Sequence, residues 1–242
     1  MTLVVVVAAK GAPGATTTSA ALAAAGAIRN MPTLLVELDP AGGSFALETQ
    51  RSLDPGLGTL LAAARRGLDS SLLTAHSQVL ASGVEVLLAP TAPDRAKRVV
   101  TTLAGGLAEL LKQRPGLTIV DGGRWDGDNS LTPVLAAADH VIVLLRPNAS
   151  GTEALRNRLS GLAEINRSNA VVCVGDQPYS AQEVAAALGV AAEAPIAHDA
   201  RAARLVVSGV PLDRWLRRSS LMRSTLDMVD RLTANHDSEV LV

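Results

Sequence analysis

Six apolar runs, LVVVVAA, TLLVEL, VEVLLAP, LTIVD, HVIVLL and AVVCVG, recur along the 242-residue chain, each followed by an alanine- or leucine-rich stretch of helical character. Strands this continuously apolar have no polar face to offer to water, and the intervening helices supply the long crossovers that parallel strands need. The pattern predicts an α/β fold, a doubly wound and mostly parallel sheet with helices on both faces. Helices are expected over 16–29, ended by RNMP, over 58–66 and 94–113, after Ser150, Ser180 and Asp199, and over 211–234, the last being the longest. No Pro/Gly/Ser linker or internal repeat divides the chain. Residues 1–235 are therefore expected to form a single domain, with 236–242 a frayed acidic tail.

Composition removes several function classes. Hydrophobic residues make up 48% of the chain and charged residues 19%, yet no apolar run approaches the roughly 20 residues of a membrane span. No basic segment precedes the first apolar run, which leads directly into a turn and helix, so a secretory signal is not expected and the location reads as cytoplasmic. The one cysteine, Cys173, lies inside AVVCVG and reads as a small buried hydrophobe. His76, His140, His198 and His236 show no ligand spacing for zinc, and no Ser/His/Asp set or glycine–serine elbow stands out.

Net charge is −1 and aromatics are 2%, so a nucleic-acid contact would need a local patch. One stretch qualifies: Arg201, Arg204, Arg214, Arg217, Arg218 and Arg223 stand against only two aspartates between Asp199 and Arg223. It reads as a closing helix with solvated arginines or as a nonspecific DNA contact. A membrane-surface helix is disfavoured because the extreme C terminus, NHDSEVLV, is acidic.

Open parallel sheets bind ligands at the carboxyl ends of their strands, and three polar clusters fall there: KGAPGATT, ELDPAGG and DGGRWDGD. In the first, Gly11 and Gly14 permit backbone conformations that aim N–H groups at a phosphate, and the helix that follows adds its positive end. The Thr16 hydroxyl stands where it could ligate Mg2+, and Asp39 and Asp121 could hold that ion through water or position an attacking water. Other readings of the same residues are polar caps at strand ends for Asp39 and Asp121, a plain helix N-terminus, and dinucleotide binding. In that last reading Gly11, Gly14 and Thr17 approximate G-x-x-G-x-x-G and Glu37 takes the ribose position, but the third glycine is missing and Lys10 has no role. Arg124, Asp126 and Asp128 read as a solvated loop or as ligand contacts.

The opening loop resembles the deviant Walker A motif, K-G-G-x-G-K-T-T, of the MinD/ParA ATPases through Lys10, Gly11, Ala12, Pro13, Gly14, Ala15, Thr16 and Thr17. Only three lysines occur in the chain, and one is at this position. LLVELDPAGGSFA is similar to that family's switch I, V-D-x-D-P-x-G, with Asp39 at the water-positioning aspartate and Glu37 replacing the earlier one. LTIVDGG resembles the Walker B strand with Asp121 at its end, and ADHVIVLLRPNASGTEAL resembles the strand and helix that follow. APIAHDARAARLVVSGVPL resembles the late segment I-P-x-D-x-x-x-x-x-A-x-x-x-G-x-P-L, and GVEVLLAPTAPDRA is similar to the TadZ/CpaE-like branch, which positions pilus machinery.

The resemblance covers most of the chain and implies a P-loop NTPase fold of SIMIBI-like type. It implies ATP or ADP held by residues 10 to 17, Mg2+ at Thr16, Asp39 and Asp121, and a base side near His198, Asp199, Gly209 and Pro211. It also implies a homodimer in which Lys10 reaches the partner subunit's nucleotide. Where the family has an asparagine after the strand at AVVCVGDQP, Gly175 and Asp176 stand here.

Ala15 departs from the motif at the second lysine. A lysine–phosphate contact is a charge-assisted hydrogen bond of about 1.5–3 kcal/mol, so its loss weakens binding roughly ten- to a hundredfold. Loss of one donor to transition-state charge costs about 10²–10³ in rate. Pro13 removes a further possible N–H. The expectation is a degenerate member, a pseudo-ATPase acting as a dimeric positioning or scaffolding factor for a protein partner or cargo. Asp39, and Lys10 in trans, are the catalytic candidates for any residual turnover. The alternatives are an active MinD/ParA-like ATPase driving a partition, septum or pilus positioning cycle, and a Rossmann-type NAD(P)-binding oxidoreductase.

Overall fold

The computed structural model describes residues 1–9, 14–127 and 129–237. Lys10, Gly11, Ala12, Pro13, Asp128 and residues 238–242 lie outside the described residues. Strands β1 (Thr2–Ala8), β2 (Thr33–Glu37), β3 (Gln78–Val79), β4 (Glu85–Leu87), β5 (Leu117–Arg124), β6 (His140–Leu145) and β7 (Asn169–Cys173) form one sheet, ordered β3-β4-β2-β5-β1-β6-β7. Every pairing is parallel except β3 with β4. The described helices are α1 (Ala15–Ile28), α2 (Phe45–Glu48), α3 (Leu57–Ala63), α4 (Ser70–His76), α5 (Pro93–Gln113), α6 (Thr132–Ala137), α7 (Ala149–Arg156), α8 (Leu159–Ile165), α9 (Ala181–Leu188), α10 (Ala200–Val207), α11 (Arg214–Arg217) and α12 (Ser220–Asp237).

Alternate residues of the central strands feed two cores, as the two-residue strand period requires. Val5 and Val7 pack on one face with apolar residues of α3 to α9, while Val4 and Val6 pack on the other with α1, α2, α10, α11 and α12. Helix α5 covers its face by a helical stripe, Ala96, Val99, Val100, Leu103, Ala104, Leu107, Ala108 and Leu111. Helix α1 has no such stripe: small residues surround it, and residues 18 to 26 are all buried between the sheet and α10 and α12. The doubly wound sheet expected from the apolar runs is thus the observed one.

Three local expectations differ. The helix expected over 211–234 is two, α11 and α12, because the chain breaks at Arg218 and Ser219, and α5, at 21 residues, is longer than the 18-residue α12. Helix α12 also runs to Asp237, two residues into the segment read as tail. Strand β5 continues past Asp121 to Arg124, so Asp121 is not its last residue. The pairs Val6–Asp121 and Ala8–Arg124 leave Gly122 and Gly123 opposite Val7 alone, a β-bulge that keeps the strand paired beyond the aspartate.

Candidate functional site

Strand β1 lies between β5 and β6, and from its carboxyl end the chain turns into α1 on one face while β5 connects to β6 across the other. Such a reversal opens a crevice at the strand ends. Gly14 caps α1 with φ 97°, a left-handed conformation open to glycine, and no side chain caps the helix. The first intrahelical bond is Thr18 N–H to Gly14 C=O at 2.8 Å, so the amides of residues 15 to 17 have no intrahelical acceptor. Ala15, by contrast, is a buried methyl, 8% exposed and part of the α1 core.

The three acidic residues predicted around this crevice have different environments. Glu37 is buried and fully engaged: Oε1 accepts from the Ser44 and Phe45 amides at 2.5 and 2.9 Å, and Oε2 from the Ala89 amide at 2.9 Å. It ties the segment after β2 to the segment after β4. Burial raises its pKa against those amides, and its hydrogen-bonded oxygens leave it unsuited to hold a ribose.

Asp39 is partly buried and accepts the Ala41 amide at 2.8 Å, with its pKa raised by burial. Its carboxyl rests on the β5 bulge. Gly123 has φ 60°, and a Cβ there would fall 2.1 Å from the Asp39 carboxyl carbon, so only glycine permits the approach.

Asp121 is 1% exposed, and its Oδ1 accepts the Gly123 amide at 3.0 Å. Its Oδ2 is buried without a hydrogen-bond partner among the described residues. Burial pushes this carboxyl up to about 7; the Thr16 hydroxyl and the Gly123 amide pull it down, and Glu37 and Asp39 add repulsion. An orphaned carboxylate oxygen beside a threonine hydroxyl at a helix start is the donor set that a hydrated Mg2+ fits. No three acidic, histidine or cysteine side chains converge as a ligand group among the described residues, so such an ion would need oxygens from water or phosphate as well.

Two cavities flank these groups. One, about 170 Å3, is lined by Gly14, Thr17 and Thr18 together with Arg146, Val174, Ile196, His198 and the start of α10. The other, about 340 Å3, holds Asp39 with Lys97, Arg124 and Asp126. His198 and Asp199 therefore line the cavity at the start of α1, and Asp199 is occupied as the cap of α10, accepting from the Ala202 amide and the Ser220 hydroxyl. Gly209 and Pro211 do not line the cavity. Gly209 instead accepts the Ser82 amide and packs on Leu80, beside the β3–β4 turn.

Sequence reasoning missed Trp125 and Arg158. Trp125, inside the polar run DGGRWDGD, is 5% exposed in the core, and its amide donates to Ala8 C=O at 3.0 Å. Arg158 donates from Nη1 to Ala9 C=O, and at 3.4 Å to Trp125 C=O, bracing the root of the loop. No spacing in the sequence marks this long-range pairing. The six arginines of the basic stretch are all exposed, Arg201 lying 4.1 Å over the Trp215 ring.

No protein-family model matches the sequence, and no curated protein matches it. Solved structures do. A ParA family ATPase from Chlorobium tepidum TLS aligns at TM-score 0.79 with 19% identity, over 94% of this chain and 98% of that one. The septum site-determining protein MinD of Pyrococcus horikoshii OT3, complexed with Mg-ADP, aligns at 0.77 with 14% identity, over 100% and 99%. Cobyrinic acid a,c-diamide synthase of Mycobacterium smegmatis, with bound ATP analog and magnesium, aligns at 0.66 with 20% identity, over 99% and 96%. The chain has the α/β P-loop fold of the MinD/ParA ATPases.

Proposed function

We propose that this chain is a degenerate MinD/ParA-like protein, a dimeric positioning or scaffolding factor that binds adenine nucleotide with Mg2+ weakly and turns it over slowly or not at all. The observation that carries the reading is Ala15: a buried methyl group stands where the motif that the loop resembles has its second lysine. Gly14 and the amides of the first turn of α1 suit a phosphate, and Thr16, Asp121 and, through water, Asp39 suit the magnesium. Bound Mg-nucleotide would supply the polyphosphate charge and the cation that together satisfy these groups.

What the chain's own residues do follows from their environments. The α1 amides donate to phosphate oxygens; Asp121 holds the cation through its orphaned Oδ2; Asp39, fixed against Gly123, orients water. Lys10 acts in trans in a homodimer, as its motif position implies. With the loop lysine gone, affinity falls roughly ten- to a hundredfold and the rate by a further 10²–10³. We take residues 1–235 as one nucleotide-binding domain, with a protein partner or cargo recognised on its surface. The oxidoreductase reading loses its ribose ligand, because both Glu37 oxygens accept backbone amides.

Titration with Mg-ATP, Mg-ADP, NADH and NADPH by calorimetry, paired with a phosphate-release assay, tests the proposal. Weak adenine-nucleotide binding with background turnover is expected. Robust magnesium-dependent hydrolysis would establish the active ATPase instead, and tight nicotinamide binding without an ATP response would establish the oxidoreductase.

A further inference from the structure

A phosphate loop that has given up a lysine still needs a cation near its helix start, and four described side chains surround the region: Lys97, Arg124, Arg146 and Arg158. Arg158 lies against the carbonyls of Ala9 and Trp125 at the root of the loop and does not line the cavity at the start of α1. Lys97 and Arg124 line the cavity that contains Asp39 and Asp126 and none of residues 14 to 18. Arg146 alone of the four lines the cavity shared by Gly14, Thr17 and Thr18.

Its place follows from the sheet. In the β1–β6 ladder Ala8 pairs with Leu144, and the Ala9 amide donates to Leu144 C=O at 3.1 Å. Arg146, two residues further on, thus leaves the sheet at the level where β1 gives way to the loop. Arg146 is exposed. The cavity it borders has an apolar lining, Val174, Ile196, Ala200, Ala203 and Leu221, next to the amide-rich start of α1, the mixed chemistry that suits a base at one end and phosphate at the other. Across β1 from Arg146, on β5, the buried Oδ2 of Asp121 has no hydrogen-bond partner among the described residues and faces the Thr16 hydroxyl of the same helix start, so a ligand at that start would be approached from both sides of β1.

We propose that Arg146 is the phosphate-binding cation of this protein, delivering from the end of β6 to a nucleotide's polyphosphate the charge that the loop lost at Ala15. The proposal rests on the nucleotide reading of the site and deepens it by naming the group that replaces the lysine. A guanidinium suits the task, since its planar fork gives two parallel N–H bonds to phosphate oxygens and keeps its charge at every working pH.

The test is the affinity of the full chain for Mg-ADP by calorimetry, in the wild type and in Arg146→Ala, Arg146→Lys, Ala15→Lys and the Arg146→Ala/Ala15→Lys double variant, with circular dichroism as a check on folding. Arg146→Ala should weaken Mg-ADP about ten- to a hundredfold, Arg146→Lys, which keeps the charge but not the fork, should lose less than Arg146→Ala, and the double variant should recover what Arg146→Ala loses. Unchanged Mg-ADP affinity in Arg146→Ala would overturn the proposal while leaving the nucleotide site standing. A wild type that binds neither Mg-ADP nor Mg-ATP would overturn the nucleotide reading itself. Should the buried position refuse Ala15→Lys and the variant unfold, the comparison of Arg146→Ala with Arg146→Lys decides alone: equal losses in both, or none in either, overturn the assignment.

Discussion

Asp121 combines full burial, one hydrogen-bonded oxygen and one orphaned oxygen, and its carboxyl is pushed up to about 7. An aspartate in an unfolded chain titrates near 3.9, so between about pH 4 and 7 the folded state binds more protons at this site than the unfolded state does. Stability conferred by the neutral form is therefore fully present below about pH 4 and is lost as pH rises through about 7, by up to about 4 kcal/mol. Asp121→Asn should flatten this part of the profile and raise the melting temperature at pH 8 relative to wild type in magnesium-free buffer. Thermal melts from pH 4 to 8 check it, and parallel wild-type and variant profiles would mean that Asp121 does not titrate in this range. At the same residue scale, Asp39, Asp121 and the DGG run could be singled out from sequence, because carboxylates that follow an apolar run and precede glycines are a local signal, although the strand at Asp121 continues to Arg124. The environments of these carboxylates could not. Glu37 is spent on amides 7, 8 and 52 positions away, and the need for Gly123 arises from Asp39 in the loop after β2.

Elements with a strong period, such as α5 and the central strands, were legible; short ones were not. The two-residue β3 and the four-residue α2 carry too few residues to establish a period and are held by tertiary contacts. The break between α11 and α12 did leave a local signal, the serine pair in RRSSLMR. The Ser219 hydroxyl donates to Leu216 C=O at 2.7 Å and accepts the Met222 amide at 3.3 Å, closing one helix and opening the next. This also explains why the apolar residues of RWLRRSSLMR form no single stripe. Leu216 is buried from α11, and Leu221 and Met222 are buried from α12, on two different helical axes. Because Ser219 is itself buried, Ser219→Ala should cost about 1–2 kcal/mol through the lost cap. Chemical denaturation would show it as a lower midpoint at unchanged slope. A midpoint within error of wild type would assign the break to packing of Leu216 and Met222 alone.

For the molecule as a whole, near-neutral charge conceals an uneven distribution: six exposed arginines gather on α10, α11, the turn after α11 and the first turn of α12. Two of them, Arg201 and Arg204, lie on the helix whose first turn, Asp199, Ala200 and Ala203, borders the Gly14 cavity. A polyanion gathered by these arginines would therefore contact the same rigid helix that lines the proposed nucleotide site. The fold does not decide the matter, since solved structures of this shape include both MinD and a cobyrinic acid a,c-diamide synthase. Salt dependence does. If the patch binds duplex DNA without regard to sequence, affinity should fall steeply with salt, with a slope of about −0.9 for each phosphate contact in log–log form. Arg201→Ala/Arg204→Ala should then reduce that slope by about 2 while leaving the fold intact, because both side chains are exposed. Arg201 over Trp215 adds a smaller term of about 0.5–1 kcal/mol that the variant also removes from stability. Fluorescence anisotropy with random-sequence duplexes, read at several salt concentrations and with and without Mg-ADP, separates the outcomes. A steep slope that flattens in the double variant assigns the surface to DNA, and a further shift with Mg-ADP means that α10 couples the two sites. No binding at low salt leaves the arginines as the solvated face of three helices.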